Sequence, residues 1–127
     1  MAQLTIISET GMFHSVCRCT WPNGVKWYGF APLKHREPHG QGAVHTESRA
    51  QYINHYISFD IADFLLQSAI KSAVDKYKDA TYTIGVRDCV SFSADVARGC
   101  NLAVPLVNMT PWGLIQILRV NNYTKLQ

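Results

Sequence analysis

Residues 85–99 read GVRDCVSFSADVARG, and this stretch decides how the rest of the chain is interpreted. Asp88 is a residue type that favours the position before a helix, because its carboxylate accepts hydrogen bonds from the first free N–H groups. A helix is therefore predicted to begin at Asp88 or Cys89 and to end near Gly99, a residue type that favours helix ends. Its inner side carries Phe92, Val96 and Cys100. Cys89 thus lies in the first turn.

A helix is predicted on each side of this stretch. Apolar residues at helical spacing predict one over residues 61–77, with Asp60 as its N-cap. Its apolar stripe consists of Ala62, Leu66, Ala69, Ile70, Ala73, Val74 and Tyr77. Residues 79–87 are interpreted as a connection. Pro111 after the cap Thr110 predicts a third helix, and the apolar face of that helix is Leu114, Ile115 and Leu118.

The first half of the chain is typical of β-structure. Runs rich in β-branched and aromatic residues predict strands at residues 4–7, 13–20, 25–31 and 51–59. Asn23-Gly24, between the second and third runs, predicts a hairpin. Residues 32–48 contain two prolines and two glycines and are interpreted as an irregular loop of the kind that often carries function. We therefore predict a single α+β domain over residues 1–127, an antiparallel sheet packed with helices.

The composition is that of one globular domain. Of the 127 residues, 47% are hydrophobic and 17% are charged, which excludes a disordered or repetitive chain. The net charge is +3, but the basic residues are scattered, whereas nucleic-acid-binding proteins cluster theirs. No apolar run approaches the roughly 18 residues of a membrane span. Neither nucleic acid nor a membrane span is therefore expected.

The N-terminal residues MAQLTIISETGMFH lack the basic and apolar regions of a Sec signal. Synthesis in the cytoplasm is therefore expected, and any work elsewhere requires another route of delivery.

The cysteines favour free thiols over a metal site. A chain of this size folds without disulfides and carries no export signal. Cys17-x-Cys19 lacks the second pair of ligands that structural zinc needs. His35-x3-His39 is interrupted by Pro38, which opposes the helix that would bring both rings together. No metal and no cofactor are predicted.

Cys89 is the candidate nucleophile. At a helix start, the free N–H groups and the positive end of the dipole favour a thiolate and can hold the oxyanion that forms when a thiolate attacks a carbonyl. Asp88 opposes this through its negative charge, so a cationic partner is needed. The alternative is that Cys89 is simply a buried core residue, as we expect for Cys100.

His14 is the candidate partner, because a strand histidine facing a helix-start cysteine is the arrangement of Cys–His catalysis. Strand alternation places His14 on the face opposite to Cys17 and Cys19. The alternative is that His14 is a surface residue of its strand.

Two segments resemble circularly permuted papain-like hydrolases. The first is HSV at residues 14–16, followed after a strand and a turn by WYGF at residues 27–30. The second is DCVSFS at residues 88–93, followed by Val96-Ala97 and a downstream Pro105. Permuted members carry the histidine before the cysteine, as this chain does. The resemblance covers roughly residues 11–107.

The superfamily contains NlpC-like cell-wall peptidases, LRAT-like acyltransferases and PPPDE isopeptidases. With YGFAP at residues 28–32, Gly40-Gln-Gly42 and DC-x-x-F, the chain is similar to amidase-like effectors of type VI secretion. The resemblance implies a permuted papain-like, NlpC-like fold with Cys89 and His14 as the catalytic dyad.

A third polar residue often orients the imidazole in this family. The corresponding strand here offers only Lys26 and Tyr28, and His35 or His45 from the 32–48 segment are alternatives. The usual Asn before the cysteine is replaced by Asp88, which bears on the oxyanion arrangement.

The expected function is therefore a thiol amidase or endopeptidase that acts through a thioester, with peptidoglycan stem peptides as the substrate. By the resemblance, it is an antibacterial effector toxin that is secreted, acts in the periplasm of a target cell and needs an immunity protein. The alternatives are an LRAT-like acyltransferase or lipid hydrolase, a PPPDE-like isopeptidase, and a binding module with an inert cysteine.

Overall fold

The structure, a computed structural model, describes residues 1–11, 13–34, 37–105 and 110–126. Within these residues, six strands form one antiparallel sheet in the order β5-β1-β2-β3-β4-β6. The strands are β1 (Ala2–Glu9), β2 (Ser15–Trp21), β3 (Gly24–Pro32), β4 (His39–His45), β5 (Ile53–Ile61) and β6 (Thr81–Thr83). The α-helices in the same described part are α1 (Asp63–Tyr77), α2 (Cys89–Gly99) and α3 (Pro111–Asn121). The predicted α+β class with an antiparallel sheet is confirmed.

Strand alternation divides the buried residues into two clusters. The main core lies between the sheet and the helices, and includes Leu4, Ile6, Cys17, Phe92 and Leu114. A small cluster of Ile7, Val16 and Trp27 covers the other face of the sheet. Successive residues of β1 and β2 therefore point to opposite faces, as the period of two requires.

The hairpin of β2 and β3 is confirmed, since Trp21 pairs with Gly24 across a two-residue turn. The adjoining β4, however, corrects the expectation of an irregular loop over residues 32–48. A Cβ at Gly42 would overlap the Phe30 ring and lie 2.9 Å from the Ala80 carbonyl oxygen. Gly42 is thus a packing residue within a strand, although the sequence pattern alone favours a turn.

The junction of β5 and α1 lies later than the sequence predicts. β5 continues through Asp60, which pairs with Gln3 of β1, so Asp60 is not the helix cap. The N-cap is Ala62, whose side chain makes no capping hydrogen bond, and α1 begins at Asp63. The predicted end at Tyr77 is confirmed.

The 79–87 segment is not only a connection, because it contains β6. This short strand pairs with β4, with Tyr82 opposite Gly40. Three residues are too few for a recognisable alternation, so tertiary pairing decides their conformation.

The predicted bounds of α2 are confirmed, but its end is built differently from the expectation. Gly99 is the last helical residue, and the residue in the left-handed region is Asn101, with φ 62°. Gly99 instead gives room to α1, since a Cβ there would lie 2.7 Å from the Cβ of Ala69. The helix α3 is as predicted, with Thr110 capping Gly113 and Pro111 in the first turn.

Candidate active site

The start of α2 is fixed by a capping box around Asp88. Its carboxylate accepts hydrogen bonds from the N–H groups of Val90 at 3.0 Å and Ser91 at 3.1 Å, and the Ser91 hydroxyl accepts one from the Asp88 N–H. The carboxylate also accepts a hydrogen bond from the Gly85 N–H at 2.8 Å. These contacts hold Cys89 at the first position of the helix.

The Cys89 thiol lies against the chain on both sides of His14. Its sulfur is 3.9 Å from the carbonyl oxygen of Phe13, and it also makes a hydrogen bond with the backbone of Ser15. The Tyr82 side chain on β6 lies near the sulfur. Cys89 is fully buried, at 0% exposure.

Burial makes Cys89 a neutral thiol in this structure. Loss of solvent raises its pKa to about 12, and the charge of Asp88 acts in the same direction. Backbone hydrogen bonds with Ser15 and Val90 lower the pKa, as expected at a helix start, but they do not offset the burial. The expected preformed thiolate is therefore wrong for this conformation.

His14 belongs to a polar cluster that the sequence analysis only partly found. Its Nε2 lies 3.0 Å from Nε2 of His45 on β4 and 3.8 Å from Oε2 of Glu9 on β1. Glu9 is buried and receives two hydrogen bonds from Arg49, from Nε at 2.9 Å and from Nη2 at 2.7 Å. Gly29 makes room for this cluster, because a Cβ there would lie 2.6 Å from Nε2 of His45.

The cluster keeps His14 neutral. Its side chain is only 12% exposed, and burial lowers its pKa to about 4, against the opposing effect of Glu9. His45 and Arg49 lower this pKa further. Burial also lowers the pKa of His45. Both imidazoles are thus neutral near neutral pH.

The Cys89 sulfur lies against the backbone beside His14, but the His14 side chain points to the other face of the sheet. Ser15 and Cys17 point to α2, where both contact the Ser93 hydroxyl, whereas the His14 ring lies with His45. Within the described part of the chain, no hydrogen bond or ion pair joins the Cys89 sulfur to the His14 ring. The two groups expected to face each other are therefore adjacent without contact.

A cavity of about 520 Å³ opens over the histidine cluster. Phe13, His14, His45, Arg49 and Tyr82 are among its lining residues. Cys89 is fully buried and is not among the residues that line this cavity, whereas Phe13 and Tyr82, which lie near its sulfur, are. Access to the thiol requires these two residues to move.

The other sequence candidates lie in different places. His45 contacts His14 directly, and Asp88 caps α2. Tyr28 pairs with Cys17 and lines a separate cavity that also includes Trp21, so it does not reach His14. His35 lies outside the described residues. Cys17 and Cys19 face the main core, so the predicted alternation of β2 is confirmed.

Glu9, Arg49 and Tyr82 were missed by the sequence analysis. Glu9 is the last residue of β1, where a charged residue ordinarily indicates solvent exposure. Its partner Arg49 is 40 positions away in the chain, and no local pattern connects the two. Tyr82 comes to the thiol only through the β4–β6 pairing.

Among the described residues, no group of three His, Cys, Asp or Glu side chains is arranged to hold a metal ion. In the same described part, no helix has the length and apolarity of a membrane span. All four cysteines are buried free thiols.

Comparisons with models of known protein families, with curated proteins and with solved structures found no match to this chain. Any function therefore has to be argued from its own residues.

Proposed function

We propose that this protein is a thiol hydrolase in which Cys89 attacks an amide carbonyl and His14 transfers the proton. One observation carries the proposal: the sulfur at the start of α2 contacts the backbone of both neighbours of His14, Phe13 and Ser15. A nucleophile at a helix start beside a histidine is the arrangement that cysteine catalysis requires.

The orientation of the imidazole supports the role of His14 as a base. Its Nε2 is held by His45 and lies near Glu9, whereas Nδ1 has no hydrogen-bond partner among the described residues. Nδ1 is therefore the nitrogen available to the thiol. Once the ring has turned toward the thiol, His45 or Glu9 on the opposite nitrogen would take the place of the third member of a catalytic triad.

Both groups begin neutral, so the proton moves during the attack. His14 accepts the thiol proton while the sulfur bonds to the carbonyl carbon, and the oxyanion faces the first N–H of α2. The tetrahedral intermediate expels the amine, which takes the proton from His14, and leaves a thioester on Cys89. Water, deprotonated by His14, then attacks the thioester, and the acid is released as the Cys89 sulfur takes the proton back from His14.

This chemistry needs a change from the resting conformation. Substrate entering the cavity displaces Phe13 and Tyr82 from the sulfur, and the His14 ring turns toward the thiol. Gly11, at φ 69° and with open space around its Cβ position, precedes this segment and suits such a movement.

The resemblance of residues 14–16, 27–30 and 88–93 to permuted papain-like hydrolases supports an NlpC-like architecture and, with it, a peptidoglycan stem peptide as the substrate. We propose that the protein is an antibacterial amidase effector that acts in the periplasm of a target cell and is neutralised by an immunity protein in the producing cell.

Mass spectrometry of muropeptides tests this proposal. Purified peptidoglycan is incubated with the wild type, with Cys89→Ala and with Cys17→Ser as the matched control. The expected result is a new amine and a new acid terminus with the wild type and the control, and neither with Cys89→Ala. Cleavage of an acyl lipid or an isopeptide in place of peptidoglycan would favour the acyltransferase or isopeptidase alternative.

A second candidate, a binding module with an inert cysteine, is favoured by the complete burial of Cys89 and its raised pKa. In that case the 520 Å³ cavity binds a ligand without chemistry. Unchanged peptidoglycan, lipid and isopeptide substrates with every variant would favour this second function.

A further inference from the structure

The edge of the sheet at β5 is long and open. Within the described part of the chain, its outer side is paired only where Phe59 bridges to Leu126. Natural proteins protect such edges with lysine, proline, bulges or very short strands. The opposite edge, β6, is only three residues long, whereas β5 has nine residues, INHYISFDI, without lysine or proline and with one charged residue, Asp60, which follows the Phe59 bridge and lies outside the open part of the edge. A register irregularity at Ser8/Glu9 affects only the beginning of β5.

A groove of about 730 Å³ follows this edge. His55 and Tyr56 alternate along β5 and therefore point to opposite faces of the sheet, yet both line the groove. On the helix side the His55 ring stacks on Trp112 of α3, with the ring centroids 3.9 Å apart. Tyr56 is 58% exposed on the other side. A strand added beside β5 would therefore contact aromatic side chains on both faces of the sheet, Trp112 on one and Tyr56 on the other.

The groove is cationic. Its lining includes Arg18 and Arg119 and no Asp or Glu. Within the described residues, neither arginine has an ion-pair partner. Arg18 lies over the Trp27 ring at 5.7 Å, and Arg119 is exposed on the last turn of α3. The charge complement of this surface is therefore an acidic segment.

We propose that the β5 edge binds an extended acidic segment of a partner protein, which adds to the sheet as a seventh strand. Backbone hydrogen bonds to β5 supply affinity, and a carboxylate paired with Arg119 supplies specificity, while Arg18 adds to the positive field of the groove. A second copy of this chain is a poorer occupant, because pairing β5 with β5 would bring the arginines of both copies together. This site is separate from Cys89, so its test does not depend on hydrolase activity.

Fluorescence anisotropy with three labelled octapeptides tests the proposal. The first alternates Glu and Val, the second alternates Lys and Val, and the third is the acidic peptide with a central proline, which cannot complete a strand. Only the first should bind. Arg119→Ala should weaken its binding about tenfold, the expected loss of one charge-assisted hydrogen bond, whereas Lys26→Ala, an exposed charge outside the groove, should leave binding unchanged.

A charge reversal keeps the test informative if truncation disturbs the fold. Arg119→Glu should weaken binding of the glutamate peptide and create binding of the lysine peptide. Amide hydrogen exchange should slow at residues 54–58 when the glutamate peptide is bound.

Three results would overturn the proposal. Equal binding of the proline peptide would mean that charge alone is recognised. Equal binding of an oligothymidine would indicate a general polyanion site. A dimer in analytical ultracentrifugation, with the amides of β5 protected in the absence of peptide, would make a second copy the occupant.

Discussion

At the scale of single residues, Cys89 and His14 are expected to act as one unit. Cys89→Ala and His14→Ala should each abolish hydrolysis, and the double variant should be little worse than either, because neither group transfers the proton alone. Turnover is measured on peptidoglycan, with circular dichroism as the control for folding. Near-wild-type turnover in either single variant would refute the assignment.

Cys17→Ser is the matched cysteine control. In the wild type, the Cys17 sulfur lies 3.6 Å from the Ser93 hydroxyl oxygen, and a serine at this position is able to hydrogen-bond the same hydroxyl. Strand alternation holds residue 17 away from His14. Activity should therefore be unchanged. Loss of activity with normal stability would mean that the helix-facing side of β2 contributes to the site.

Acid should destabilise the protein through His14. Its pKa is about 4 in the folded chain and about 6.5 in the unfolded chain, so between these values the unfolded state binds more protons. The free energy of unfolding should fall by roughly 2 kcal/mol from pH 7 to pH 5, as one such histidine implies. Urea denaturation at the two pH values measures this loss.

His14→Gln should reduce the change in the free energy of unfolding between pH 7 and pH 5 to the part due to His45. His39→Gln, which removes an exposed histidine, is the control and should show the same change as the wild type. A wild type equally stable at both pH values would contradict a buried neutral His14.

The charge of Asp88 tunes the thiol separately from its capping role. Asp88→Asn keeps an acceptor for the Val90 and Ser91 N–H groups, loses the one for Gly85, and removes the charge that raises the pKa of Cys89. The rate at which iodoacetamide alkylates Cys89 at pH 8 should be several-fold higher in Asp88→Asn than in the wild type, whose buried thiol reacts slowly. Asp88→Ala should instead lose about 1 kcal/mol of stability with the cap. A rate in Asp88→Asn no faster than the wild type would show that the charge has no effect on the thiol.

At the scale of elements, β4 depends on a glycine that the sequence pattern alone assigns to a loop. Gly42→Ala should destabilise the fold by about 1–3 kcal/mol, the usual cost of overpacking, because its Cβ would overlap the Phe30 ring. A Cβ at Gly40 would lie 2.8 Å from the Glu37 carboxylate, which is the end of a flexible side chain and can move away. Gly40→Ala should therefore cost much less in urea denaturation, and equal losses would contradict this packing.

Local chemistry explains which elements were predictable. The helix α2 was predicted because its capping residue, apolar spacing and glycine agree in one short stretch. The strands β4 and β6 were not predicted. The glycines of β4 hide its alternation of apolar and polar residues, and β6 is too short to show one. The prediction of Asp60 as the N-cap of α1 was wrong, because pairing with Gln3 keeps Asp60 in β5 although its residue type favours a helix start.

At the scale of the whole molecule, the sheet brings together groups that the sequence keeps far apart. The sequence identified Cys89, His14 and His45, whose residue types carry recognisable chemistry. It did not identify Glu9, Arg49 or Tyr82, because their roles arise from pairing of β1 with β5 and of β4 with β6. It also predicted a thiolate from the helix start and a cationic histidine partner, whereas the burial of both groups depends on the complete fold.

Trapping of an acyl-enzyme tests the central claim, that Cys89 is a nucleophile assisted by His14, most directly. The protein is mixed with peptidoglycan fragments, quenched in acid within milliseconds to seconds, digested and analysed by mass spectrometry. We predict one acyl adduct on the peptide that contains Cys89, labile to neutral hydroxylamine as a thioester is, absent in Cys89→Ala and strongly reduced in His14→Ala. No adduct in the wild type, an adduct on another residue, or equal amounts in the wild type and His14→Ala would contradict the claim.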